Sequence, residues 1–356
     1  MKILLIGEYS GLHNHLKDGL KELGHEVFLI SRGDSFKRME SDFSLDSRYT
    51  GFLGRLDTIY FKPLKLIRFL ENNDIVQLIN PFYFNNKFFP YKIYINYLLS
   101  RSKKFFLLGA GDDSYYWKYG RYLLKYGPFN DVLKYDLNGR RHPFDTLKSF
   151  KFNKYLLERS NGIIPVMFDY EIGYSNHKKK LKTIPIPINL SKLEYKENVV
   201  DGKICILHGL NRYGFKGTKY VEEAFDYLKR KYPFDLELII EGKLPFNEYL
   251  KLMSRANVII DQTSSYSLGM NGLFAMGMGK VVLSGAEPEA LNVLGINDSP
   301  VINIQPNAET IIRAIEDLLI NKDKIKQLGC ESRKYVEKYH NHIEIAKQYI
   351  SVWSEN

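Results

Sequence analysis

Short strand-like apolar runs alternate with helix-periodic segments twice along this chain of 356 residues, and a proline-containing segment separates the two series. The runs of the first series lie at 2–6, 27–30, 74–79, 104–108 and 162–166. Those of the second series lie at 203–207, 236–240, 258–261, 281–283 and 301–304. Because strand–helix–strand units build parallel sheets, the sequence predicts an α/β protein with two doubly wound, Rossmann-like domains.

The segment 184–189 contains Pro185 and Pro187, which disfavour both a helix and a central strand. We therefore predict that it links the two domains, with residues 1–187 in the first and 188–335 in the second. The Tyr-rich stretch at about 112–150 shows no regular period and receives no assignment.

The composition is that of a globular protein, with 44% hydrophobic and 26% charged residues, which excludes disordered and collagen-like chains. No apolar run approaches the roughly 18 residues of a membrane-spanning helix. The first run is too short for a signal peptide, and the two cysteines do not suggest a disulfide framework. We therefore expect a cytoplasmic location.

The excess of positive over negative charge is confined to the first half of the chain. The first 200 residues carry 32 basic and 21 acidic residues, whereas the rest carry 19 and 20. A basic, aromatic-rich surface suits an anionic membrane, so we expect possible peripheral attachment to the inner face of a membrane. It also suits single-stranded nucleic acid, but no segment resembles a nucleic-acid-binding module, and nucleic acid is not expected as a partner. The tyrosines equally suit a cleft that stacks against carbohydrate.

A glycine-rich turn at 208–217 follows a predicted strand and opens a helix. Backbone amides at such a turn favour an anion, and Arg212 and Lys216 add two cations there. The alternative is a solvated loop with two surface cations.

A second helix of small residues begins after a polar loop. Free amides at Gly269 and Met270, with Asn271 beside them, would accept a diphosphate. The alternative is that the small residues serve close packing alone.

These segments together resemble the GT-B fold glycosyltransferases, in particular the retaining glycosyltransferase family 4 group. The resemblance covers nearly the whole chain, and the motifs that carry it are Leu23–Val27, Asn161–Ile164, Lys216–Gly217, Ala275–Gly279 and Gly285–Glu289. It implies a metal-independent transfer of a sugar, with retention, from a UDP- or GDP-sugar. The implied acceptor is a glycan or a lipid-linked glycan of surface polysaccharide biosynthesis. It also implies that residues 336–356 pack back on the first domain.

The resemblance assigns the donor diphosphate to Lys216, to the amides of 269–271 and to an arginine whose family position falls on Asn211. We assign that role to the neighbouring Arg212, with Asn211 also at the site. No cofactor is expected, because there is no zinc-type motif and no GxGxxG after the first strand. Asp112 falls on the acceptor side and is predicted to be catalytic, although it is equally suited to cap a loop or helix.

The chain departs from the family at two glutamates separated by seven residues, whose positions are held by Tyr266 and Phe274. Tyr266 is expected to lie beside the donor sugar or ribose. Glu287 is predicted to be catalytic, as a partial replacement for a missing carboxylate. The alternative is a non-catalytic protein that binds a nucleotide or a glycan. Three further residues are expected near the donor because they follow predicted strands: Gly11, His13 and Glu241.

Overall fold

Two parallel β-sheets, one from each half of the chain, organise the structure. It is a computed structural model that describes residues 1–34, 37–47, 49–83 and 91–356. Within these ranges the first sheet contains β1 (Lys2–Ile6), β2 (Glu26–Ser31), β3 (Phe43–Ser44), β4 (Asn73–Leu78), β5 (Ser102–Gly109) and β6 (Gly162–Pro165). The strand order is β3-β2-β1-β4-β5-β6, and every neighbouring pair is parallel.

The second sheet is also parallel. Its strands in the described part of the chain are β7 (Ile204–Gly209), β8 (Leu236–Glu241), β9 (Val258–Ile260), β10 (Val281–Ser284) and β11 (Ile302–Asn303). Their order is β11-β10-β9-β7-β8. The α/β architecture with two doubly wound sheets is therefore confirmed, and each predicted strand is found with its ends shifted by two residues at most.

Helices cover the faces of both sheets. Those before the linker are α1 (Leu12–Glu22), α2 (Gly51–Leu56), α3 (Lys62–Leu66), α4 (Tyr91–Arg101), α5 (Arg121–Leu123), α6 (Phe129–Asp131), α7 (Leu147–Arg159) and α8 (Phe168–Glu171). Those after it are α9 (Tyr213–Lys216), α10 (Thr218–Lys231), α11 (Phe246–Arg255), α12 (Met270–Gly277), α13 (Pro288–Val293), α14 (Ala308–Ile320), α15 (Lys324–Tyr339) and α16 (His342–Glu355). Among the described helices, none has both the length and the apolar character needed to cross a bilayer.

The stretch that the sequence left unassigned reaches from the first domain to the second. We call residues 112–146 the bridging segment. It contains α5, α6 and two π-helical turns, Tyr116–Gly120 and Val132–Asp136. Its buried rings, including Trp117 and Phe129, form one apolar cluster with Tyr266 and Ala290 from the second half of the chain. Tertiary packing therefore holds this segment in place.

The end of the chain returns to the first sheet. Helix α16 packs on α1 so closely that a Cβ at Gly19 would lie 2.2 Å from the carbonyl oxygen of His342. Trp353 is buried, and its Nε1 donates to Gln77 Oε1 on β4 at 3.1 Å. The chain thus crosses between the sheets at the linker and again before α16, and Ile188 N donates to His340 O where the two crossings meet. The predicted domain boundaries remain a prediction.

Candidate active site

A cavity of about 440 Å³ lies where the strands of both sheets end. Ligands of doubly wound folds bind in the crevice at the carboxyl ends of the parallel strands. The structure brings seven of the predicted site residues into its lining: Asp112, Asn211, Arg212, Lys216, Gly269, Met270 and Asn271. The two glycine-containing turns therefore face one space, as a shared ligand requires.

Lys216 is fixed at the start of α12 by a buried carboxylate. Asp261 follows β9, is fully buried, and accepts a hydrogen bond from Lys216 Nζ. The same carboxylate accepts from Gly269 N at 3.0 Å through Oδ2. Asp261 therefore joins the cation and the first amide of α12, although it also neutralises part of the positive charge that an anionic ligand would meet.

Arg212 reaches across the cavity to the first domain. Its Nη2 donates to Asp112 Oδ2 at 2.9 Å, and its Nε lies 4.0 Å from Asp136 Oδ2. The guanidinium also stacks on Phe215, with 4.2 Å from Cζ to the ring centroid. The side chain of Arg212 remains 45% exposed, so a ligand in the cavity can contact it without the protein unfolding locally.

An imidazole lies on the opposite side of Asp112. Its Oδ2 lies 3.7 Å from His142 Nε2, and the His142 ring stacks on Trp117 at 3.9 Å. Burial lowers the pKa of His142 to about 4, so this ring is neutral at neutral pH. The other carboxylate oxygen, Oδ1, is buried without a hydrogen-bond partner among the described residues. Because Asp112 lines the cavity, this oxygen is available to accept from a ligand hydroxyl.

One wall of the cavity is apolar and aromatic. It includes Leu244, Phe246, Tyr249 and Phe274, and the rings of Phe246 and Phe274 lie 5.1 Å apart. Phe274 stands at the position of one family glutamate and brings no hydrogen-bonding group to it. Two side chains, Tyr249 and Asn271, bring buried polar atoms to this wall. A planar, partly polar ligand group would fit such a wall.

Two predicted residues near α1 do not line the cavity. His13 is fully buried, with Nδ1 2.7 Å from Gly7 O and Nε2 3.2 Å from Gln77 Nε2. Gly11 donates its N–H to Glu8 Oε1 at 2.7 Å, and Glu8 Oε2 accepts from Asn14 N at 2.8 Å. A carboxylate of the chain itself therefore occupies the amino end of α1. The expected approach of His13 and Gly11 to the donor stays a prediction.

Three predicted residues of the second domain also lie outside the cavity lining. Glu241 accepts from Gly242 N at 2.9 Å and is exposed. Tyr266 Oη accepts from Lys125 N at 3.0 Å. Glu287 Oε1 accepts from Tyr126 Oη at 2.8 Å, and from Asn303 and Gln305 at 3.0 Å. The carboxylate of Glu287 thus binds the bridging segment and its own domain outside the cavity lining, and its catalytic role stays a prediction.

Several residues of the site were not predicted from the sequence. Ser10 and Asp34 line the first-domain side, both with a left-handed backbone, and Ser10 N donates to Asp34 Oδ2 at 2.8 Å. Such backbone conformations in non-glycine residues concentrate at functional sites. Asp261 was visible in the sequence as the polar residue that ends a strand, whereas no sequence signal marked His142.

The comparisons with known proteins rest on structure. No protein-family model and no curated protein matches the chain. Sucrose-phosphate synthase from Thermosynechococcus elongatus has a TM-score of 0.65 and 14% identity over 100% of this chain and 99% of its own. HepE from Anabaena, in complex with UDP-glucose, has a TM-score of 0.62 and 12% identity over the whole of both chains.

An alpha-glucosyltransferase in complex with UDP and DNA has a TM-score of 0.62 and 13% identity over 99% of both chains. At this level of identity the likeness concerns architecture. The two parallel sheets, the shared cavity at their carboxyl ends and these full-length matches show that the chain has the GT-B fold.

Proposed function

We propose that the protein is a glycosyltransferase that uses a UDP- or GDP-sugar and works without a metal ion. The observation that carries the proposal is the convergence of Arg212, Lys216 and the start of α12 in one cavity between the two sheets. Two cations and free amides at a helix start are the groups that stabilise a departing diphosphate. The sugar-nucleotide ligands of structural neighbours, such as UDP-glucose in HepE, support the same donor class.

The roles of the cavity residues follow from their contacts. Arg212 and Lys216 neutralise charge on the leaving diphosphate, and Met270 presents its amide to it. Gly269 N, which donates to Asp261 Oδ2 at 3.0 Å, would exchange that carboxylate for the diphosphate. Asp112 Oδ1 accepts from a hydroxyl of the acceptor or the transferred sugar and orients it. The aromatic wall at Phe246 and Phe274 packs against the nucleoside. Retention of anomeric configuration is proposed from the family resemblance alone.

The acceptor is proposed to be a glycan or a lipid-linked glycan of surface polysaccharide biosynthesis. The basic first half supports work at an anionic membrane surface on the cytoplasmic side. Nucleic acid is not part of the proposal.

A second candidate function is that of a GT-B protein that binds a nucleotide or a glycan without turnover. The specific observation in its favour is the phenylalanine at position 274, where a carboxylate would contact the ribose. The hydrogen bond from Tyr126 Oη to Glu287 Oε1 also favours this candidate, because it keeps that carboxylate on the bridging segment.

The test is nucleotide binding followed by turnover. Calorimetry with UDP and GDP should show binding that Lys216→Ala weakens by about 1–3 kcal/mol, the range for a hydrogen bond to a charged group. Because this variant leaves Asp261 buried and unpaired, Arg212→Gln, at a more exposed site, serves as a second variant. Lys229→Ala, on the exposed face of α10, is the matched control and should bind as the wild type does.

Turnover then separates the two candidates. Donor hydrolysis or transfer with a panel of UDP- and GDP-sugars and glycan acceptors supports the enzyme. Nucleotide binding without turnover across the panel supports the binding protein, and wild-type affinity in both Arg212→Gln and Lys216→Ala removes these cations from the site.

A further inference from the structure

A helical segment of the first domain presents large apolar side chains to solvent. Helix α2, the π-helical turn Asp57–Phe61 and α3 run without interruption from 51 to 66. Along it Phe52 is 74% exposed, Leu53 64%, Phe61 57% and Leu64 63%. Exposing this much apolar surface on one short segment costs solvation free energy, so it indicates an interaction site.

The spacing of these residues places them along one side. A π-helical turn adds one residue to a turn, so residues eight apart, such as 53 and 61, return to the same face. Leu64 follows 61 by three residues and extends that face. On the buried side, Leu66 is inaccessible, and a Cβ at Gly54 would lie 2.3 Å from the carbonyl oxygen of Tyr49. One side of the segment is thus packed against the protein, and the other side is exposed to solvent.

Basic residues accompany the apolar face. Between 49 and 66 the chain carries Arg55, Lys62 and Lys65 against one acid, Asp57. Arg55 and Lys65 are exposed, and Lys62 Nζ lies 5.2 Å from the ring centroid of Phe43. Apolar side chains interleaved with cations match the boundary between acyl chains and anionic headgroups.

We propose that the face formed by Phe52, Leu53, Phe61 and Leu64, with its basic flank, docks on an anionic lipid headgroup surface. This surface would attach the protein to the membrane at which the proposed function takes place. Its docking does not depend on the nucleotide-sugar that the enzyme uses. A second copy of the chain is a poorer occupant. A twofold contact through this face would bring its cations against the same cations of the partner.

The test is co-sedimentation of the full chain with vesicles. Vesicles of 30% phosphatidylglycerol in phosphatidylcholine should retain the protein at low salt, and binding should fall as salt rises. Phe61→Ser/Leu64→Ser removes apolar side chains that would enter the headgroup region and should lower the partition coefficient by about tenfold or more. Arg55→Glu/Lys65→Glu reverses two charges beside an anionic surface and should lower it by about as much. The controls are Phe234→Ser, which changes an exposed phenylalanine of the second domain (84% exposed), and Lys229→Glu; both should bind as the wild type does.

Equal binding to pure phosphatidylcholine vesicles would overturn the proposal, and so would wild-type binding by both double variants. It would also be overturned if the wild type did not bind vesicles but formed a dimer, and Phe61→Ser/Leu64→Ser made that dimer monomeric. UDP and GDP binding by the same variants should be unchanged, so a failed docking surface and a failed donor site give different results.

Discussion

At the scale of single residues, the site is notable for how its charges are already paired. Arg212 meets Asp112, and Lys216 meets Asp261. The carboxylates therefore occupy positions that compete with a diphosphate, and an incoming donor exchanges one set of charged contacts for another. Affinity for the donor is then set by the difference between the two sets and not by the cations alone.

Asp112→Asn tests this exchange. The change removes the negative charge beside Arg212, so affinity for UDP or GDP in calorimetry should stay the same or rise. Transfer to an acceptor should fall by about 100-fold in kcat, because the amide no longer accepts and orients a hydroxyl as a carboxylate does. Asp145→Asn is the control, because Asp145 belongs to the same segment but lies beside Arg121, with 4.0 Å between Arg121 Nη1 and Asp145 Oδ2. A loss of donor affinity with kcat unchanged would show that Asp112 only supports the structure.

Local spacing made part of the site predictable. Arg212, Lys216 and Gly269 stand at strand-to-helix turns, whose place at the carboxyl end of a parallel sheet is fixed by topology. His13 and Glu287 have equally polar side chains, but their partners, Gln77 and Tyr126, are remote in sequence. His142 was missed for the same reason, since nothing in the sequence brings it to Asp112.

At the scale of elements, the bridging segment joins the loop that carries the cations. Asp136 accepts from Gly214 N at 2.9 Å and from Phe215 N at 3.2 Å. Asp131 pairs with Lys219 at 2.8 Å. The backbone contact is close, since a Cβ at Gly214 would lie 2.3 Å from Asp131 O. The position of Arg212 therefore depends on a segment of the other domain.

Asp136→Ala should loosen this connection. Two amides lose a charged acceptor, at a cost of about 2 kcal/mol, which is about 30-fold in the local opening equilibrium. Hydrogen exchange should speed up in residues 212–219 and 112–146 and stay unchanged in β1 and β4. Asp145→Ala removes a charge from the same segment without touching the second domain and should leave exchange at 212–219 unaltered. Equal exchange in both variants would mean that the bridge does not hold the loop.

The elements that the sequence predicted well are those whose apolar pattern is local. Strand β1 is buried almost throughout, and α1 repeats leucine at 12, 16 and 20. Strand β3, with two residues, is too short to produce a pattern. The bridging segment escaped prediction because its short helices and π-helical turns are held by rings of both domains and not by a period of its own.

At the scale of the whole molecule, the two sheets are tied together at several points of the described chain. The linker, the crossing before α16 and the bridging segment each pass between them, and one apolar cluster includes residues of both, such as Leu5, Phe274 and Trp353. Because packed interiors transmit strain, a change in packing at one of these contacts should affect both domains. Buried titratable groups make pH the simplest way to observe it.

Five buried histidines set the sign of this pH dependence. Burial lowers the pKa of each to about 4; they are His13, His15, His142, His208 and His340. Since an unfolded histidine titrates near 6.5, the unfolded chain binds more protons below that pH. The contribution of each neutral, buried histidine to the free energy of unfolding is fully present above pH 6.5 and is lost as the pH falls toward 4. The loss is roughly 2 kcal/mol per histidine between pH 7 and 5.

Buried carboxyls oppose this trend but are fewer. Burial raises the pKa of Glu8 to about 7 and of Asp113 to about 6, and it raises that of Asp169 as well. Each of these groups takes up a proton in the folded state first, so its contribution to stability grows as the pH falls toward the unfolded value near 4. Five histidines against three carboxyls leave a net loss of stability on acidification.

Urea unfolding should therefore show a lower free energy of unfolding at pH 5 than at pH 7. His208→Gln keeps groups that can bond Ile260 O and Thr218 Oγ1, which His208 contacts at 2.9 and 3.0 Å. Because glutamine does not titrate, this variant should lose less stability between the two pH values than the wild type, by roughly 2 kcal/mol. His25→Gln, at a partly exposed position, should change the difference much less. Equal stability of the wild type at pH 5 and 7 would show that the carboxyls offset the histidines, and a difference in His208→Gln as large as that of the wild type would show that His208 does not contribute to it.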